Sequence, residues 1–243
     1  MPYLSLAFLI FHIYIMVFVG KILERKTTFR GFTLLLVLSP LNISLTLFFA
    51  AVIGLSPQEL GMTIGNFAWG ISFVGLSIPL ALISFYSILR APAVWIMRIR
   101  YGNVSRPVPQ LVYSWLVVGI VEELLYRGFF QGSLSKHLEL SFLTVEVSTV
   151  IASFVFVFVH LGNVLMKAET FRNFRRDFLP RLLASFILGY TFQISHSLLY
   201  PIIIHNLIDG LTLTGLIYRK KQILKANHEI LFKNESDDSS SDE

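Results

Sequence analysis

Residues 111–134 read LVYSWLVVGIVEELLYRGFFQGSL. This apolar run is long enough to cross a membrane, yet it carries Glu122, Glu123 and Arg127 near its middle. A hydrocarbon core of ~30 Å needs about 20 apolar residues in helical form. Ionisable groups at such depth are costly, so they face the interior of a helix bundle and mark function. Read outward from this segment, the chain repeats the same length of apolar run at residues 3–20, 32–54, 67–89, 142–166, 179–195 and 198–218. The 179–195 run is the weakest, being short, with Gln193 inside it and Pro180 and Arg181 at its entry.

Composition agrees with the segment count. Of 243 residues, 54% are hydrophobic and only 14% charged, and the mean hydropathy is +0.68. A soluble domain carries nearer ~25% charged residues, so the apolar excess matches a lipid solvent. The net charge of +5 would suggest nucleic acid in a soluble protein, but here topology explains it and no nucleic-acid partner is expected. Cysteine is absent, which removes disulfides, thiolate ligands and a cysteine nucleophile. No basic residue precedes the run that begins at Tyr3, and charges follow it at Lys21, Arg25 and Lys26. That polarity is opposite to a signal peptide, and the segment is expected to be a retained span.

Basic residues alternate between rich and poor connections. Lys21, Arg25, Lys26 and Arg30 fill the first connection; the second has neither Lys nor Arg. Arg90, Arg98, Arg100 and Arg106 fill the third, against Lys136 alone in the fourth. Lys167, Arg172, Arg175, Arg176 and Arg181 occupy the fifth, and the sixth has none. Arg219, Lys220, Lys221, Lys225 and Lys233 follow the last segment. The positive-inside rule then predicts seven spans, with the N-terminus outside and the C-terminus cytosolic. The expected architecture is all-α: a polytopic bundle of about seven transmembrane helices around a central polar cavity. Residues 1–226 form one membrane domain, and 227–243 an acidic, serine-rich tail expected to be disordered. The stretch 91–101 (APAVWIMRIRY) suits an amphipathic helix in the interface.

Glu123 and Arg127 stand at i and i+4, the spacing at which a carboxylate and a guanidinium meet on one helix face. Glu122 is offset by ~100° and cannot share that partner. His160 lies one turn beyond Phe156 in an apolar segment, and His205 and Asp209 share a face in another; Asn206 points elsewhere. Measured at ~1.5 Å per residue from the cytosolic ends, Glu122 lies about 16 Å deep, His160 roughly 9 Å, His205 about 19 Å and Asp209 about 14 Å. The four share one slab of the membrane. His12, His137, His196, His228 and Glu146 read as edge or solvated residues, and Phe154, Phe156 and Phe158 as packing or lipid-facing surface.

Such a set can hydrolyse an amide in two ways. Glu122 and His160 can activate a water while His205 and Asp209 bind the developing oxyanion. Alternatively, a divalent metal such as zinc, with Glu122, His160 and His205 as candidate ligands, lowers the pKa of bound water. The HExxH pattern of zinc proteases is absent. Two readings from other classes compete, a proton-coupled transporter and a catalytically silent immunity or scaffold protein.

The three motifs, EExxxR at 122–127, FxxxH at 156–160 and HxxxD at 205–209, resemble in order those of the CPBP family (CAAX proteases and bacteriocin-processing proteins, or Abi), over about residues 111–215. The resemblance implies an all-helical intramembrane endopeptidase acting on a membrane-bound or lipidated protein, including CAAX-type prenylated ones. By the same resemblance Glu122 and His160 activate water, His205 and Asp209 stabilise the oxyanion, and Glu123, Arg127 and Phe156 organise the site. The family often has Asn where this chain has Asp209.

Overall fold

The computed structural model describes residues 2–165 and 169–239, with side chains for 3–165 and 169–228. Helices dominate: α1 (Pro2–Lys26), α2 (Gly31–Ile53), α3 (Phe67–Arg90), the short α4 (Ala93–Arg98), α5 (Pro107–Ser135), α6 (Val147–Leu165), α7 (Phe171–Ser195) and α8 (Leu199–Ser239). The helical membrane bundle expected from hydropathy is what the chain forms. Six helices among the described residues are long and apolar enough to cross a membrane: α1, α2, α3, α5, α6 and the part of α8 from Leu199 to His228. A bilayer leaves no water to satisfy backbone groups, so helices with internal hydrogen bonds are the economical solution. Large apolar side chains such as Leu76, Ile83, Phe48 and Phe18 point outward from them.

The sixth segment, α7, is helical but falls outside that apolar set, and it starts earlier than expected. Thr170 caps it by accepting the Asn173 N–H at 3.2 Å. The FRNFRRDF turn pattern buries Phe174 and leaves Arg172, Arg175 and Arg176 exposed. Arg181 holds Glu169 through two hydrogen bonds of 3.1 and 2.9 Å, and Pro180 is carried inside the helix. The fifth segment starts later than expected: Ser141–Phe142 and Val145–Glu146 pair as a small antiparallel hairpin before α6 begins. At the other end, α8 continues to Ser239, into the stretch expected to be disordered, where Leu, Lys and Glu still favour helix. Residues 240–243 lie outside the described part.

Two stretches of α5, Tyr113–Val117 and Leu124–Gln131, are wide turns with i→i+5 bonding, and they flank the regular turn Val118–Glu123. Such turns are uncommon and concentrate at functional sites. α5 is the hub. Its buried Leu125, Tyr126, Phe129, Phe130 and Leu134 pack with Leu9 of α1, Phe49 of α2 and Phe156 of α6 in the largest apolar cluster. Glycines let backbones close in on it. A Cβ on Gly128 would stand 2.9 Å from the Leu60 carbonyl, and one on Gly132 2.8 Å from that of Glu59. The loop between α2 and α3 is thereby seated on α5, and Lys136 clamps it through Glu59 (2.9 Å) and the Gly54 carbonyl (2.9 Å). α3 lies along α8, where Tyr200 covers Gly70 and Ser84 bonds Thr212 at 2.8 Å.

Candidate active site

Glu123 and Arg127 are fully buried and joined at 3.0 Å, Arg127 Nε donating to Glu123 Oε2. The i,i+4 pair expected from sequence exists. The guanidinium also donates to Ser185 Oγ of α7 at 3.0 Å and lies 5.1 Å from the centre of the Phe156 ring. Arg127 therefore ties α5 to both α6 and α7.

The other oxygen of Glu123 does something the spacing did not disclose. Glu123 Oε1 takes a 2.7 Å hydrogen bond with His205 Nδ1 of α8. Glu123 is thus the carboxylate that orients His205. The signal available was stoichiometric: a carboxylate has two oxygens, and Arg127 Nε uses one. With Nδ1 spent on Glu123, His205 Nε2 turns toward Glu122 Oε2 at 3.8 Å and Asp209 Oδ2 at 3.7 Å. Neither distance is a hydrogen bond. Glu122 and Asp209 keep 29% and 45% of their side-chain surface open, so each remains accessible to a ligand.

His160 joins this group at one remove. It sits where α6 is interrupted, its Nδ1 bonded to the Phe156 carbonyl at 2.8 Å. That bond fixes the tautomer and leaves Nε2 as the free nitrogen. The Phe156 ring contacts both imidazoles, with centroids 4.9 Å from His160 and 6.3 Å from His205. Phe156 is buried whereas Phe154 and Phe158 are exposed, so the phenylalanine stripe divides into one site residue and two surface residues. His160 lies within electrostatic range of Glu122, without direct contact. Glu122, His205 and Asp209 are gathered around one nitrogen; His160 flanks them.

Among the described residues, no three of His, Asp or Glu are arranged to hold a metal ion. Glu123 occupies His205 Nδ1 and leaves Nε2 as the nitrogen that faces Glu122 and Asp209.

Asn206, next to His205, points away from this centre as expected, and there it has a partner. Its Oδ1 accepts the Gly119 N–H at 2.8 Å, just after the first wide turn of α5. A second polar seam also escaped the sequence reading. Gln131 donates to Thr149 Oγ1 and to the Gly189 carbonyl, both at 2.9 Å, and Thr149 bonds Gln193 at 2.9 Å. Glu146 accepts from Ser135 at 2.7 Å and Ser148 at 2.8 Å. His12, expected near an edge, is buried against α2 and approaches Thr46 Oγ1 at 3.2 Å. His137 and His196 are exposed, as expected.

Two cavities lie beside the centre. The larger, about 580 Å³, is bounded by α1, α2 and α5 and reaches Val121, although none of the four expected catalytic groups lines it. The smaller, about 200 Å³, is lined by Asp209.

Fold and site together define a multi-pass integral membrane protein with a carboxylate–histidine centre held between its helices. Residues 104–211 match the family model described as type II CAAX prenyl endopeptidase, Rce1-like. This is the CAAX-protease family that the three motifs resemble, and the matched stretch contains every residue of the centre. No match was found among curated proteins or among solved structures.

Proposed function

We propose that this chain is an intramembrane endopeptidase that cuts a peptide bond of a membrane-associated, CAAX-type lipidated protein with an activated water. One observation carries the reading: Glu122 and Asp209, from two helices within the matched segment, converge on His205 Nε2 at 3.8 and 3.7 Å. Glu122 and His160 lie within electrostatic range of each other, and a water held between them would lose its proton to Glu122. His205, when it carries a proton on Nε2, is the donor to the oxyanion, with Asp209 beside it. Glu123 and Arg127 act through His205 and position it.

The alternating Lys and Arg pattern supports an N-terminus outside and a C-terminus in the cytosol. Site-specific labelling of the two termini in sealed vesicles tests that orientation. The activity is tested with the detergent-purified protein on matched prenylated and unprenylated peptides, with and without chelator. Cleavage of the prenylated member is expected, and Glu122→Gln should lose nearly all turnover while remaining folded. Full cleavage by Glu122→Gln would refute the mechanism.

A further inference from the structure

The connection from α3 to α5 carries Arg90, Arg98, Arg100 and Arg106, and the chain has no Asp or Glu from residue 60 to residue 121. Among the described residues no carboxylate forms an ion pair with Arg90 or Arg98. Arg90 lies instead over the exposed ring of Tyr86, 4.8 Å from its centre.

The short helix α4 stands in this connection with its sides sorted. At ~100° per residue, Ile96 points opposite to Val94 and Arg98, and Trp95 and Met97 lie on the flanks. Ile96 is buried in a cluster with Leu213, Leu216 and Ile223 of α8. Val94, Trp95 and Met97 are 60, 59 and 44% exposed, and Arg98 is exposed among them. The segment cannot roll this face inward. Lys220 of α8 donates to the Ile99 and Tyr101 carbonyls, both at 2.6 Å, and a Cβ on Gly102 would meet Leu216 at 2.8 Å. α4 is riveted to α8 with its tryptophan, methionine and arginine left outside.

These residues fit one kind of partner. Tryptophan favours the boundary between hydrocarbon and headgroups, and a helix that mixes apolar and basic side chains lies along that boundary. Guanidinium groups pair with phosphate. The spans on either side end at Arg90 and begin at Pro107, which holds α4 at the bilayer surface. We propose that the outward face of α4, together with Arg90, binds the headgroups of anionic phospholipids in the leaflet on the Lys- and Arg-rich side. This site does not draw on the peptidase reading.

The chain has no cysteine, so Ser105→Cys, exposed and close to α4 in sequence, takes a single donor dye. The full chain is placed in nanodiscs of phosphatidylcholine and phosphatidylserine, with acceptor dye on the acyl chain of one lipid or the other. Energy transfer should show phosphatidylserine enriched near the dye, by roughly fivefold for each arginine engaged. Raising salt from about 0.05 to about 0.5 M should shrink the preference. Arg90→Gln with Arg98→Gln should remove most of it, whereas Arg25→Gln with Lys26→Gln should leave it intact. Equal transfer to both lipids in the wild type, or a preference that survives in the folded Arg90, Arg98 double variant, would overturn the site. If that variant does not fold, a wild-type preference indifferent to salt would overturn it as well. Equal transfer combined with salt-sensitive binding of polyglutamate would assign the face to an acidic protein and also refute the lipid.

Discussion

Glu123→Gln is the most informative single change, because that carboxylate joins two elements of the site. Its oxygens accept from Arg127 Nε at 3.0 Å and meet His205 Nδ1 at 2.7 Å, and neither Glu123 nor Arg127 is exposed to solvent. The amide retains shape and one acceptor but removes the charge opposite Arg127. Breaking a buried pair from one side costs about 3–5 kcal/mol. The amide N–H₂ can also donate to His205 Nδ1, which would drive the ring proton to Nε2. Glu122→Gln is the matched control. Glu122 has no hydrogen bond in the centre, so its neutralisation should cost less than the about 1 kcal/mol of a typical net hydrogen bond. Thermal unfolding in detergent should place Glu123→Gln well below Glu122→Gln, and nitrogen NMR of labelled histidine should show the changed tautomer. Equal melting of the two variants would refute the linking role of Glu123.

Other outcomes follow from the same geometry. Gly119→Ala would put a methyl 2.6 Å from Asn206 Oδ1 and 2.8 Å from the Ile202 carbonyl, forcing α5 from α8. A loss of about 1–3 kcal/mol and of most turnover is expected, whereas Gly75→Ala, with nothing within 4 Å, should leave both intact. Ser185→Ala removes one bond to Arg127 and should cost about 1.5–3 kcal/mol in melting experiments, with turnover falling less than in His205→Ala. At the loop on α5, Lys136 and then the Ser56 N–H hold the Glu59 carboxyl down to about 2 from an ordinary 4.5. A carboxylate depressed in the folded state stabilises it above the ordinary value and ceases to do so as pH falls toward the folded one. The melting difference between wild type and Lys136→Met should therefore shrink as pH drops from above 4.5 toward 2; the pair is half-exposed, so it contributes under ~1 kcal/mol. A difference that grows on acidification would contradict the pairing.

The parts readable from sequence were those governed by periodicity. Apolar run length located the spans, and i,i+4 spacing paired Glu123 with Arg127 and put His205 and Asp209 on one face. Contacts between helices were not readable, because spacing along one helix says nothing of rotation against another. That is why the Glu123–His205 bond and the Gln131–Thr149–Gln193 seam appeared only in three dimensions. α7 was misjudged at its start for a different reason. Its first turns are held by a Thr170 cap and two buried-side phenylalanines, while its arginines dilute the hydropathy that marked the other segments. The wide turns of α5 left no trace, since an i→i+5 turn has no distinctive apolar period in so uniformly greasy a stretch.

Those wide turns make the length of α5 a fixed quantity. Each accommodates a residue that a regular helix would have no place for, and in doing so resets the angular phase of everything beyond it. Deleting one residue between 124 and 131 while the wide turn persists would swing the segment past the deletion by roughly 100° about the axis. Gln131 would leave Thr149 and Gly189, and the glycine at 132 would no longer meet the loop. The segment therefore tolerates changes of side chain far better than changes of length, so that single-residue deletions there should be the rarest lesions that leave a working protein.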